Sequence, residues 1–121
     1  MIILRFVMCA LLGLGALGHL YGTFESYPIG SEVFVWSLSA TAFTFAVIGF
    51  NIHARSGDRF LLVMATVSAV AWAALALGFG NAIGNIFDPR AIAHAVPSMI
   101  LAIMNLIILT KTHEHANKAT G

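Results

Sequence analysis

Four long apolar runs, at residues 2–20, 33–52, 60–79 and 91–109, occupy most of the chain. A helix needs roughly 20 apolar residues to cross the hydrocarbon core of a bilayer, and each run has that length. Barrel strands alternate apolar and polar residues in segments of about ten. These runs are continuously apolar, so a barrel is excluded. Charged residues make up 9% of the chain and apolar ones 60%, against about 25% charged in ordinary soluble domains. No water-soluble surface can be built from that composition. The expected fold is all-α: an integral membrane four-helix bundle of up-down topology, with transmembrane helices at about 2–22, 32–53, 59–81 and 89–111 in one domain, 1–112. A polar, flexible cytoplasmic tail is expected at 113–121.

Local signals mark the boundaries. Asp88 before Pro89 pairs an N-cap with a first-position proline, which opens the last helix. The polar stretch 55–58 (Arg, Ser, Gly, Asp) reads as a tight turn that makes the second and third helices a hairpin. The stretch 27–31 closes the first outer loop, so Ser31 or Glu32 opens the second helix. Residues 1–4 are apolar rather than basic, so the first run is read as a retained helix and not a cleaved leader. Cys9 is the only cysteine, and it reads as a small packing residue. The Ala16, Leu17, Gly18 triplet recurs at Ala76, Leu77, Gly78, a weak trace of hairpin duplication.

Basic residues are retained on the cytoplasmic side of a membrane. Arg5, Arg55, Arg59, Lys111 and Lys118 fall at the end shared by both termini, and only Arg90 falls at the other. Both termini are therefore expected in the cytoplasm, with the plasma membrane as the location. The opposite loops, with Glu25, Glu32 and Asp88, face outward.

Membrane helices pack through small residues and interhelical hydrogen bonds. Gly15, Gly18 and Gly22 share a face of the first helix with His19, and Ala69, Ala73 and Gly80 share a face of the third with Ala65 and Ala76. Both are expected as packing faces, with the first and third helices pressed together. The second helix carries Ser37, Thr41 and Thr44 at helical spacing, continuing to Asn51, and the fourth carries His94, Ser98 and Asn105. These are two polar seams, serving either as interhelical ties or as a path.

Depth along the helices singles out one constellation. His19, Trp36, Ser37 and His94 fall at about the same outer level, with Trp72 a turn deeper. Pro97 has no amide to give the Ala93 carbonyl, which leaves an acceptor beside His94. Neutral imidazoles ligate transition metals and haem iron, and histidine paired with a carboxylate can relay protons or bind a quinone-like head group near the membrane surface. A zinc or copper site needs further ligands. His53 belongs at a helix C-terminus, and His113 and His115 belong to the solvated tail.

Small multidrug exporters share this length and helix count but rely on an acidic residue in the first helix, where this chain has only Arg5 and His19 as ionisable groups. Fluoride channels rely on a glycine and arginine signature near the start and on a hydroxyl and phenylalanine run in the third helix, both missing here. The first functional expectation is a non-catalytic accessory, scaffold or assembly subunit acting through helix contacts. The alternatives are a haem, metal or lipophilic-ligand binding protein using His19 and His94, and a small oligomeric transporter or channel using the seams. The expected partners are the lipid bilayer and either another membrane protein or further copies of the chain, not nucleic acid.

Overall fold

The computed structural model describes residues 1–54 and 58–120, with side chains described as far as Lys111. It contains α1 (Ile2–Ser26), α2 (Glu32–His53), α3 (Arg59–Ala82) and α4 (Pro89–Thr120). Each is long and apolar enough to cross a membrane, the apolar part of α4 being Pro89–Lys111. Even α2, the shortest at 22 residues, rises about 33 Å against a hydrocarbon core of about 30 Å. Residues 55–57 of the turn expected at 55–58, and the tail side chains, including His113 and His115, lie outside the described residues.

Polar side chains start three of the helices. Ser31 accepts the Phe34 amide at 3.2 Å, Asp58 accepts the Leu61 amide at 3.1 Å, and Asp88 accepts the Arg90 amide at 2.9 Å. Each satisfies an amide that has no intrahelical acceptor. Two helix ends differ from the sequence expectation. α1 continues a turn beyond residue 22 and stops at Tyr27, which is extended at φ −125°, ψ 137°. Pro28 is the cause, because its ring disfavours the helical region for the residue before it. The α4 backbone stays helical past residue 111 to Thr120, since no glycine or proline interrupts 110–120. Beyond α3, Gly84 takes φ +79°, and the Asn85 amide returns to the Gly80 carbonyl at 2.9 Å. That left-handed position suits a residue without a Cβ.

Side-chain contacts fix the helix order and direction. Near one end Arg5 meets Asn51, and Asn51 meets Ala65 and Asn105. Near the other, His19 meets Ser37 and His94, and Trp72 meets His94. Successive helices therefore run in opposite directions. The strongest packing is between α3 and α4 and between α1 and α2, with α1 against α4 and α2 against α3 completing the ring. α1 and α3 lie across the diagonal, which corrects the expected pairing of their small faces. The alanines of α3 are buried inside the bundle, where α3 packs most strongly against α4. A Cβ on Gly80 would fall 3.0 Å from the Asn85 carbonyl oxygen and 3.1 Å from the Ala91 Cβ. Small residues let these backbones approach.

The core is layered along the bundle axis. Ala54, Leu62 and Ala65 pack at the end that carries the α2–α3 connection. Met8, Cys9, Leu12, Val47, Ala69, Trp72, Leu101 and Ala102 fill the middle. Between these layers runs a polar tie. Asn51 accepts from Asn105 Nδ2 at 2.9 Å through Oδ1, its own Nδ2 reaches the Ala65 carbonyl at 3.5 Å, and its backbone carbonyl accepts from Arg5 Nη1 at 2.9 Å. One residue thus touches all four helices. Arg5, which the sequence reading used only to assign topology, is only 2% exposed. The carbonyl it binds lies in the last turn of α2, where the helix dipole favours a cation.

Candidate functional site

Above the middle layer the two hairpins, α1 with α2 and α3 with α4, part around a cavity of about 890 Å³. Its volume is in the range of small-molecule sites. α1 contributes Gly15, Gly18, His19, Gly22 and Thr23; α2 contributes Trp36, Ser37, Ala40 and Phe43. Trp72, Leu75, Ala76 and Phe79 of α3 and Pro89, Arg90, Ala93 and His94 of α4 complete the wall. Leu75 and Trp36 are 59% and 68% exposed, so the cavity opens at the surface.

The structure brings His19, Trp36, Ser37, Trp72 and His94 to this one cavity. It separates the remaining seam residues from it. The Thr41 and Thr44 hydroxyls donate to the Ser37 and Ala40 carbonyls of their own helix at 3.4 and 2.9 Å. Asn105 belongs to the Asn51 tie, and the buried Ser98 hydroxyl has no partner among the described residues. Ala69 and Ala73 are core. Gly18 and Gly22, expected as packing residues, have nothing within 4 Å of where a Cβ would stand. They make room for the cavity instead of a helix contact.

A directed set of hydrogen bonds forms the cavity floor. The Thr23 hydroxyl donates to the His19 carbonyl, one turn back, at 2.8 Å. It has one proton, so in its 2.6 Å contact with Ser37 Oγ it must accept. The Ser37 proton is thereby committed to Thr23. Ser37 Oγ must then accept from His19 Nε2, 3.0 Å away. His19, as a neutral imidazole, holds its proton on Nε2 and presents a bare lone pair at Nδ1.

A second set fixes His94. The Trp72 indole can only donate, and it donates to His94 Nδ1 at 3.3 Å. The neutral His94 ring therefore carries its proton on Nε2. That edge packs on Gly15, where a Cβ would fall 3.0 Å from Nε2. Trp72 and His94 stand edge to face at 5.5 Å, as do His19 and His94 at 6.4 Å. At the rim Arg90 pairs with Asp88 at 2.9 Å and lies 5.5 Å from the Phe79 ring centre. The Arg90 side-chain hydrogen bonds, followed by its backbone amide, hold the Asp88 carboxyl below the usual carboxylate range.

These directions decide between chemistries. A serine hydroxyl beside an imidazole resembles an activated nucleophile, but activation requires the hydroxyl to donate to the imidazole. Here the imidazole donates to the hydroxyl. A haem or metal held by both histidines requires a free lone pair on each. The Nδ1 lone pair of His94 is occupied by the Trp72 indole and its Nε2 is protonated, so the residues present do not fit a bis-histidine centre. Among the described residues no group of three or more His, Cys, Asp or Glu is arranged around a metal position.

Two parts of the arrangement escaped the sequence reading. Thr23, four residues after His19 and so on the same face, was placed beyond the end of the first helix. Arg5 was read only as a topological charge. No known protein family matches the chain, and neither a curated protein nor a solved structure matches it.

Proposed function

We propose that the chain is a small multi-pass integral membrane protein that binds an uncharged lipophilic molecule in the cavity between its two hairpins. The observation that carries this reading is the pairing of an apolar wall with a floor of mutually hydrogen-bonded polar side chains. Apolar surface with a few placed polar groups is how small-molecule sites combine affinity with orientation. The surroundings agree with this. The small face of α3 is used up inside the chain, which weakens an assembly role based on that face. The threonines of the polar seam are bonded to their own helix, which weakens a transport path.

The basic residues at the end that carries the termini support a cytoplasmic placement of that end and an outward-facing cavity in the plasma membrane. A cysteine at Ile29, in a Cys9→Ala background, should react with a membrane-impermeant maleimide added to intact cells; protection there would reverse the orientation.

Ligand binding is tested by purifying the protein in nanodiscs and identifying retained molecules by native mass spectrometry. Wild type should carry a small amphiphile that Gly18→Phe, which fills the cavity, does not retain. Equal retention by both proteins would sink the proposal.

A further inference from the structure

Among the described residues, each polar hydrogen at the floor of the cavity is either committed or packed against the wall. His19 Nε2–H goes to Ser37, the Ser37 hydroxyl to Thr23, and the Thr23 hydroxyl to the His19 carbonyl. The Trp72 indole goes to His94, and the Nε2 edge of His94 is packed against Gly15. Only lone pairs are left over: His19 Nδ1 and the second lone pairs of the Ser37 and Thr23 oxygens. Ala93, also on the cavity wall, has a carbonyl that receives no hydrogen bond from Pro97 because proline has no amide proton. The floor is rich in acceptors and has no spare donor.

Given the ligand-binding reading above, we propose that the cavity selects a neutral amphiphile whose head is a hydrogen-bond donor, a hydroxyl of the alcohol or phenol class, held by His19 Nδ1. A head that can only accept, such as a ketone, ether or quinone carbonyl, is set lone pair against lone pair and loses its hydration without compensation. An anionic head meets the same lone pairs. A cationic head would be a donor, but no acidic residue lines the cavity, and an unpaired charge in an apolar site is costly. The rim donors stand apart from this floor: Ser26, Tyr27 and Trp36 are exposed, and Arg90 is bonded to Asp88.

The test compares nonylphenol with nonyl phenyl ketone, titrated against wild-type protein in nanodiscs and followed by tryptophan fluorescence, since both tryptophans line the cavity. The phenol should bind on the order of tenfold more tightly, the size of one good hydrogen bond gained against one acceptor left unpaired. Ser37→Ala removes the group that holds the proton on His19 Nε2, so the preference should fall towards parity. Nitrogen-15 NMR of histidine-labelled wild type reads the same point without a substitution: His19 Nδ1 should be unprotonated in the free protein and should shift on adding the phenol. A protonated Nδ1, or equal affinity for phenol and ketone, would overturn the donor-head proposal while leaving a binding cavity in place. If neither probe binds and the purified protein retains no amphiphile, the binding reading itself fails.

Discussion

Gly15 and Gly18 lie on one helix and both line the cavity, yet the same substitution at the two positions should move stability in opposite directions. A Cβ on Gly15 falls 2.9 Å from His94 Cε1, 3.0 Å from Nε2 and 3.4 Å from Nδ1. Unstrained contacts between such atoms are about 3.5–4.0 Å, so the ring must retreat by roughly 0.5–1 Å. Its other edge is held by the Trp72 indole at 3.3 Å, already near the limit of a hydrogen bond, so the displacement disturbs that bond. Overpacking of this kind costs about 1–3 kcal/mol, and alanine's better helix propensity returns about 0.8–1.0 kcal/mol. Gly15→Ala is therefore expected to destabilise by about 0–2 kcal/mol. Gly18→Ala meets nothing within 4 Å and should stabilise by up to about 1 kcal/mol through the backbone alone. Reversible unfolding by SDS titration in mixed micelles measures both. The Trp72 indole proton resonance reports the site directly and should shift in Gly15→Ala but hold in Gly18→Ala. Equal stability changes in the two variants, with the indole resonance unmoved in both, would refute the packing of His94 on Gly15.

Three further outcomes follow from the polar groups. Thr23→Val removes the acceptor of the Ser37 proton, so that hydroxyl turns to His19 and the imidazole proton moves to Nδ1; histidine nitrogen-15 shifts should show the exchange, and an unchanged tautomer would contradict the directed set. Asn51→Leu and Asn105→Leu should each destabilise, whereas the double variant, which leaves no orphaned amide from this pair, should cost less than their sum by about 0.5–2 kcal/mol; strict additivity would argue against the bond between them. The Asp88 carboxyl is held below the usual range by Arg90, so its contribution to the start of α4 is present above the ordinary carboxylate pKa and is lost as pH falls through the lowered value. Thermal stability in detergent should accordingly drop on acidification, and Asp88→Asn, which keeps a cap oxygen, should flatten that part of the profile.

The sequence carried the four helices because bilayer length and continuous apolarity are one-dimensional properties. Depth is nearly one-dimensional as well: counting turns from the loop end placed His19, Ser37 and His94 at one level, and they do meet. Pairing is not. A stripe such as Ala65, Ala69 and Ala73 states that something approaches closely without stating what, and α3 turns out to pack chiefly on α4 and not on α1. Arg5 misled for a related reason. A count of charges by membrane side cannot see that the α2 carbonyl at Asn51 lies within reach of its guanidinium.

Hydrogen-bond direction lies furthest from the sequence, and here it decides the chemistry. The residue types at the cavity are those of a metal site, a serine nucleophile or a polar binding floor, and composition cannot choose among them. The choice turns on a single proton. Thr23 stands one turn beyond His19 in a helix that runs on until Pro28 stops it, so its hydroxyl can reach the His19 carbonyl. Had α1 ended near residue 22, no hydroxyl would stand there, Ser37 would be free to donate to His19, and the pair would have the orientation of an activated serine. The last turn of α1 thus sets which hydrogen-bonding groups the cavity presents, through the backbone carbonyl of the histidine it constrains.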